Sequence, residues 1–259
     1  MDDSIQDLYQ RLSLTKKESE EIVVVPEQLQ DSIIGGDKCL IMKLFTDKHY
    51  NKDVFKSTMR KALRLTMGVR FRDLSSTLMF VEFDDRRDKE KVIQEGPWSF
   101  DKHLVLLKDV DGRKQVKQIQ LTSASFWVRL HDLPLMARNE YVGRLLGEKI
   151  GVFEKVDVDE GAIAWGEFQR VCVNLQISKP LLRGSMFSIG GGEPVWVRFS
   201  YERLPNFCYL CGCLGHGEKE CTAVTSTSKF SGMDALPYGM CLRVGGYNAR
   251  FFGGTNQAK

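Results

Sequence analysis

The sequence predicts an α+β protein, on three observations. Residues 38–110 alternate strand-like and helix-like stretches in the order β-α-β-β-α-β. Residues 111–202 form a second α+β region, with one helix pattern set among strand-like runs. Residues 203–222 contain a stretch, 208–221, too short to build a core of its own, in which cysteine and histidine recur as C-x2-C-x4-H-x4-C. At 259 residues the chain is long enough for one large or two small domains, and the sequence leaves open whether 38–202 form one core or two. Hydrophobic residues make up 42% and charged residues 27%, ordinary globular values. A net charge of +3 is too small to point to nucleic acid by itself, so any basic surface must come from local patterning. No apolar run approaches the roughly 18 residues of a membrane helix, so no membrane partner is expected.

The elements follow in chain order. Residues 1–37 read as an N-terminal extension, a docking helix or mobile tail. Ile5, Leu8, Leu12 and Leu14 give a loose helical stripe, and the apolar run Ile22-Val23-Val24-Val25 stops at Pro26, which confines any strand to an edge. Residues 39–44 are an apolar run of strand length. Asn51 is a helix cap, and Val54, Phe55, Thr58, Met59, Ala62 and Leu63 recur at a spacing that turns one helix face to a core. Two short strands follow, over 68–72 and 78–83. A second helix starts near Asp84 or Asp85, turns Val92 and Ile93 inward and stops at Gly96-Pro97. Residues 104–108 supply a fourth strand.

That order is the split βαβ arrangement, and it resembles the RNA-recognition motif. The resemblance implies a third strand reading K/R-G-F/Y-G/A-F-V-x-F/Y. The chain has Ser76-Thr77-Leu78-Met79-Phe80-Val81-Glu82-Phe83, which matches only the back half. In that register Val81 and Phe83 face the core, Phe80 is the one stacking aromatic on the open sheet, and Leu40 takes the place of the other. Stacking is worth roughly 1–3 kcal/mol per base, so the fold is expected to be kept and its usual binding surface largely lost. Lys52, Lys56, Arg60 and Arg64 repeat every four residues, opposite the apolar face of the first helix. Such a row can track a phosphate backbone or simply be a solvated face.

In the second region, strand-like runs fall at 126–130, 152–158, 170–177 and 195–201. Asn139 caps a helix with Val142, Leu145, Leu146 and Ile150 inward, ending at Gly151. Gly190-Gly191-Gly192 reads as a hairpin loop between the last two strands; it lacks a phosphate-loop pattern. Asp84-Asp85 after a strand evokes paired metal-binding carboxylates, but turn and cap chemistry explains it, and His49, His103 and His131 have no catalytic neighbours in sequence. No enzymatic activity is expected.

Three thiols and one imidazole, Cys208, Cys211, His216 and Cys221, suit tetrahedral zinc. Gly212 and Gly215 supply permissive backbone for a tight wrap. The alternative is a disulfide pair; the start Met1-Asp2-Asp3-Ser4-Ile5-Gln6 has no secretory signal, so the protein is expected in the nucleus or cytoplasm with reduced cysteines. Cys213 is a spare thiol. The stretch resembles the zinc knuckle of retroviral nucleocapsid proteins, with Tyr209 where that family carries an aromatic and Gly217 where a second one often stands. The resemblance implies binding of single-stranded RNA or DNA, with Tyr209 as a stacking platform, Leu214 as a lesser one, and Lys219 as the cation of the last loop. Zinc with three thiolates leaves one net negative charge, and Glu218 and Glu220 add to it, so phosphate attraction there is weak.

The segments Gly96-Pro97-Trp98-Ser99-Phe100, Phe126-Trp127-Val128-Arg129-Leu130-His131-Asp132-Leu133-Pro134-Leu135 and Leu236-Pro237-Tyr238-Gly239 are together similar to a plant family over about residues 30–245. It pairs a domain of unknown function with a CCHC knuckle, and Cys241 stands where it often has tryptophan. Such proteins resemble the gag-like, RNA-packaging part of plant LINE-type retrotransposons. The resemblance implies zinc and nucleic-acid binding and supplies no catalytic residue. The competing reading is a protein-interaction or self-association adaptor with a purely structural zinc clip. Residues 223–259, Ser/Thr-rich and then glycine-rich, are expected to be a flexible tail.

Overall fold

Strands and helices alternate along the chain because the hydrophobic period switches between 2 and 3.6. The structure, a computed structural model, describes residues 15–29, 36–110, 114–158, 166–222 and 236–245. The first unit runs β1 (Cys39–Leu44), α1 (Lys52–Ala62), β2 (Val69–Asp73), β3 (Met79–Phe83), α2 (Arg86–Gln94), β4 (Trp98–Phe100) and β5 (His103–Asp109). Its antiparallel sheet has the order β2-β3-β1-β5-β4. Asn51 caps α1 by accepting the Asp53 and Val54 N–H groups at 3.0 and 3.1 Å, and Asp85 caps α2 through the Arg87 N–H at 2.7 Å. Asp84 instead pairs with Arg70 at 3.2 Å. Asp85 is thus a helix cap, as its chemistry suggests, while Asp84 is an ion-pair partner and not a cap.

Three expectations for this unit change. The short strand β4 hairpins onto β5, with Trp98 opposite Val105; three residues are too few to show a period. Val54 and Ile93, expected inward, are 50% and 40% exposed, because the buried stripes narrow to Phe55, Met59 and Leu63 on one helix and Val92 on the other. Leu40 faces the helices, and Ile41, not Leu40, shares the opposite face with its cross-strand neighbour Phe80.

The second unit runs β6 (Ser123–His131), α3 (Glu140–Ile150), β7 (Val152–Asp157), β8 (Phe168–Gln176), β9 (Gly184–Phe187) and β10 (Val195–Tyr201). Its antiparallel sheet has the order β7-β8-β6-β10-β9. The Gly190-Gly191-Gly192 loop joins β9 to β10, with Val195 opposite Phe187. It is a hairpin, but its first strand is the four-residue β9 and not the 170–177 run. On α3, Val142 and Leu146 are buried while Leu145 is outward.

Two apolar cores result. One lies under α1 and α2 and holds Phe55, Met59, Val81, Phe83 and Val105. The larger one is built on the second sheet, from Phe126, Val128, Val171, Phe199 and Tyr201, and extends to Ile41, Leu104 and Leu106 on the far face of the first sheet and to Leu204, Phe207 and Leu214. The helix-free face of the first sheet is therefore covered over β1 and β5, while Arg70 and Arg72 on β2, beside Glu82 and Phe80, stay exposed. Residues 236–245 also join this core: Leu242 is buried and Arg243 bridges to Tyr201. That part of the expected flexible tail is packed. Ile22 to Val25 are exposed and form no strand; Ile5, Leu8, Leu12 and Leu14 lie outside the described residues. Among the described residues no helix is long and apolar enough to cross a membrane.

Across the second sheet from its core, Glu202 accepts from Arg129 Nε at 2.6 Å and from Arg170 Nη2 at 3.0 Å. Burial alone would raise the Glu202 pKa, but the two guanidiniums outweigh it and hold the carboxyl below its ordinary range. Its contribution to stability is full above the unfolded value near 4.3 and is lost as pH falls through the lower folded value. Glu202→Gln should cost about 1–3 kcal/mol near neutral pH and flatten the acid limb below about pH 4, read by urea titration across pH. Phe55→Ala, which empties the first core, should cost about 3–5 kcal/mol in the same assay.

Candidate metal centre

The ligand loop starts where Phe207 bridges antiparallel to Leu214. Gly212 N–H returns to the Cys208 carbonyl at 2.8 Å and Cys208 N–H to the Cys213 carbonyl at 2.9 Å, closing a tight turn. Two backbone positions in that turn need a left-handed conformation, Gly212 at φ +76° and Gly215 at φ +93°. Both are also covered. A Cβ on Gly212 would run into the Tyr238 ring, and a Cβ on Gly215 into the Phe45 ring. Phe45 follows β1 of the first unit and Tyr238 lies in the C-terminal segment, so the loop is clasped from both sides.

This wrap brings Cys208, Cys211, His216 and Cys221 together, with all four donor atoms within 4.8 Å of one another and Cys211 Sγ 3.3 Å from His216 Nε2. Tetrahedral zinc with Zn–S near 2.3 Å separates its sulfurs by about 3.8 Å, so the set fits that ion. Burial pushes the Cys208 thiol up to about 12, against the Cys211 and Leu210 N–H groups, which favour the thiolate. Cys211 is raised for the same first reason. A divalent cation supplies the compensating charge that a buried thiolate lacks. Four protein donors leave no position for a water, which marks a structural site and not a catalytic one. Every cysteine among the described residues is unbridged.

The other nominated residues are placed differently. Leu214 is 3% exposed, inside the larger core, so it offers no platform. Tyr209 is half-buried, packed against that core with its ring 4.9 Å from Phe207. Lys219 is exposed. Phe80 is half-buried against the larger core instead of lying on an open sheet. The basic row flanks the apolar stripe of α1 and leans on the edge strand β2. Lys56 and Lys52 meet Asp73 at 2.9 and 3.9 Å, and the Arg60 guanidinium sits 5.1 Å over the Phe71 ring. Arg64 lies beyond the helix end at φ 46°. Phe45 and Tyr238 were not foreseen, since nothing in their local sequence places them over the loop glycines.

Comparison with known families gives two matches. Residues 37–115 match the family described as "Domain of unknown function (DUF4283)", and residues 175–223 match that described as "Zinc knuckle". The protein thus carries a DUF4283 domain followed by a CCHC-type zinc knuckle. Among curated proteins there is no match. Solved structures with similarity include the Caenorhabditis elegans NONO-1 homodimer, at 12% identity over 53% of this chain and 50% of that one, TM-score 0.25. Another is a "SXL-LETHAL PROTEIN/RNA COMPLEX", at 15% identity over 53% and 81%, TM-score 0.23. The chain spans about half the length of the first, and scores this low bear on neither fold nor function.

Two outcomes are expected. Purified reduced protein should carry one zinc per chain by elemental analysis, with affinity falling as pH drops because three thiols must lose protons. Gly212→Ala should lower stability by about 1–3 kcal/mol from backbone strain alone, and weaken zinc retention in a chelator competition. Adding Tyr238→Ala should relieve the collision but not the strain.

Proposed function

We propose that this chain is a zinc-dependent, gag-like binder of single-stranded RNA or DNA, of the plant retrotransposon-derived type its sequence resembles, without enzymatic activity and acting in the nucleus or cytoplasm. The observation that carries the reading is the assembled Cys208–Cys211–His216–Cys221 set within a segment that matches the zinc-knuckle family. The burial of Leu214 and the covering of Gly212 and Gly215 give the ion a scaffold role in this reading. Zinc holds the knuckle against both sheets, and nucleic acid meets the assembled body, with Lys219 at the exposed end of the loop. In anisotropy titrations with a labelled single-stranded oligonucleotide, affinity should fall as salt rises, and zinc removal should abolish binding together with a drop in melting temperature.

The adaptor reading is favoured by one specific feature. Leu135, Met136, Tyr141 and Leu145 stand exposed around the start of α3, Met136 at 77% and Tyr141 at 70%. Exposed apolar groups gathered in this way mark interaction surfaces. Self-association by light scattering, with no oligonucleotide signal at low salt, would replace the first reading with this one.

A further inference from the structure

A cleft of about 570 Å³ opens where the β4–β5 hairpin meets the chain entering the zinc loop and the C-terminal segment. Its walls carry Trp98, Lys102, Arg203, Asn206 and Arg243, and no carboxylate among the described residues lines it. The two guanidiniums are held by carbonyl oxygens. Arg203 donates to the Glu95 carbonyl and lies 5.6 Å over the Trp98 ring. Arg243 donates to the Leu204 carbonyl and, at 2.8 Å, to the Pro205 carbonyl. A carbonyl orients a guanidinium without cancelling its charge, and several N–H groups of each remain to donate. Arg70, Arg72, Arg129 and Arg170 instead meet carboxylates at 2.6–3.2 Å. The cleft therefore gathers uncompensated positive charge, and a concave low-dielectric wall focuses its field.

Asp101 and Lys102, at φ 47° and 63°, form the two-residue turn of the β4–β5 hairpin, which requires positive φ at both positions, and Arg203 stands at φ 50°. The cleft also joins the zinc loop directly. Asn206 N–H donates to the Lys102 carbonyl at 2.8 Å, and the Asn206 carbonyl accepts from Gly215 at 3.4 Å.

We infer that this cleft holds the phosphodiester backbone of single-stranded nucleic acid, with Lys102, Arg203 and Arg243 as the phosphate contacts. This rests on the nucleic-acid reading above and names its surface. The knuckle's part is indirect: by fixing Asn206 and the Arg203–Pro205 stretch, it sets the cleft's width.

The test is a double substitution in the full, zinc-loaded chain, Lys102→Asn with Arg203→Asn. Asparagine tolerates positive φ, so charge is removed without added backbone strain. Affinity for a labelled single-stranded oligonucleotide should fall roughly 25-fold at about 0.1 M salt, and the log–log salt slope should shrink by about 1.4, the release expected of two single-strand phosphate contacts. Zinc content and melting temperature should match the parent. Should that double variant lose zinc or fold, Lys102→Glu alone, at an exposed position, replaces it, with loss of affinity and a shallower slope expected again. An unchanged slope in a folded variant, with the parent binding normally, overturns the cleft and leaves the nucleic-acid reading standing. A parent that binds no oligonucleotide at low salt overturns both. Titration with inorganic phosphate separates the two sources of the anion: tight phosphate binding that oligonucleotide does not displace overturns the assignment to a nucleic-acid backbone.

Discussion

Four donor atoms must converge on one point at the C-terminal side of the second sheet, and most of the tertiary organisation answers to that requirement. The loop that delivers them is fourteen residues long and has no core of its own. It needs left-handed backbone at Gly212 and Gly215, and each bare glycine surface is an apolar concavity exposed to water unless something covers it. Tyr238 covers one and Phe45 the other. The first ring comes from beyond the knuckle and the second from the first unit. Closing the coordination sphere thus couples three separate stretches of chain. Because a preformed site does not exist in an unfolded chain, the free energy of metal binding is folding free energy for all of them.

The same coupling explains the shape of the larger core. A split βαβ unit on its own keeps one sheet face under helices and leaves the other to solvent or ligand. Here Ile41, Leu104 and Leu106 on that second face are continuous with Phe207 and Leu214 of the knuckle and with Phe126 and Phe199 of the second sheet. The missing aromatics of the third strand are the sequence-level trace of this arrangement. A face packed against protein is best filled by aliphatic residues of matched volume.

Much of this was legible in the residues themselves. β1 and β10 are bounded where their apolar runs begin and end, and Asn51 and Asn139 cap helices as their side-chain chemistry requires. The Cys208–Cys211–His216–Cys221 cluster was legible because the four are local and their spacing is chemically restrictive. What failed was whatever depended on distant partners. Leu40 was placed on the wrong face because period 2 gives alternation but not which set is inward. Leu145 and Ile93 were turned inward because a helical stripe two residues wide and one three wide look alike without the surface they meet. β4 and β9 are too short to show a period at all. The packing of 236–245 was hidden by its glycine-rich surroundings, since Tyr238 and Leu242 gain their value only from Gly212 and Tyr201, far back along the chain.

Charge follows the same division between local and distant. The regular basic row on α1 looked like a phosphate track because its spacing is visible in one dimension, yet Asp73 on the neighbouring strand sits between Lys52 and Lys56. Lys102, Arg203 and Arg243 show no pattern in sequence, separated as they are by whole units, and in space they line one cleft whose walls carry no carboxylate among the described residues. With a net charge of only +3, the molecule as a whole exerts little pull on a polyanion. Attraction then depends on where neutralisation is absent and not on how many cations there are. A metal cluster that is itself anionic cannot supply that attraction, but the Asn206 N–H bond to the Lys102 carbonyl ties the zinc loop to a cleft wall that carries cations.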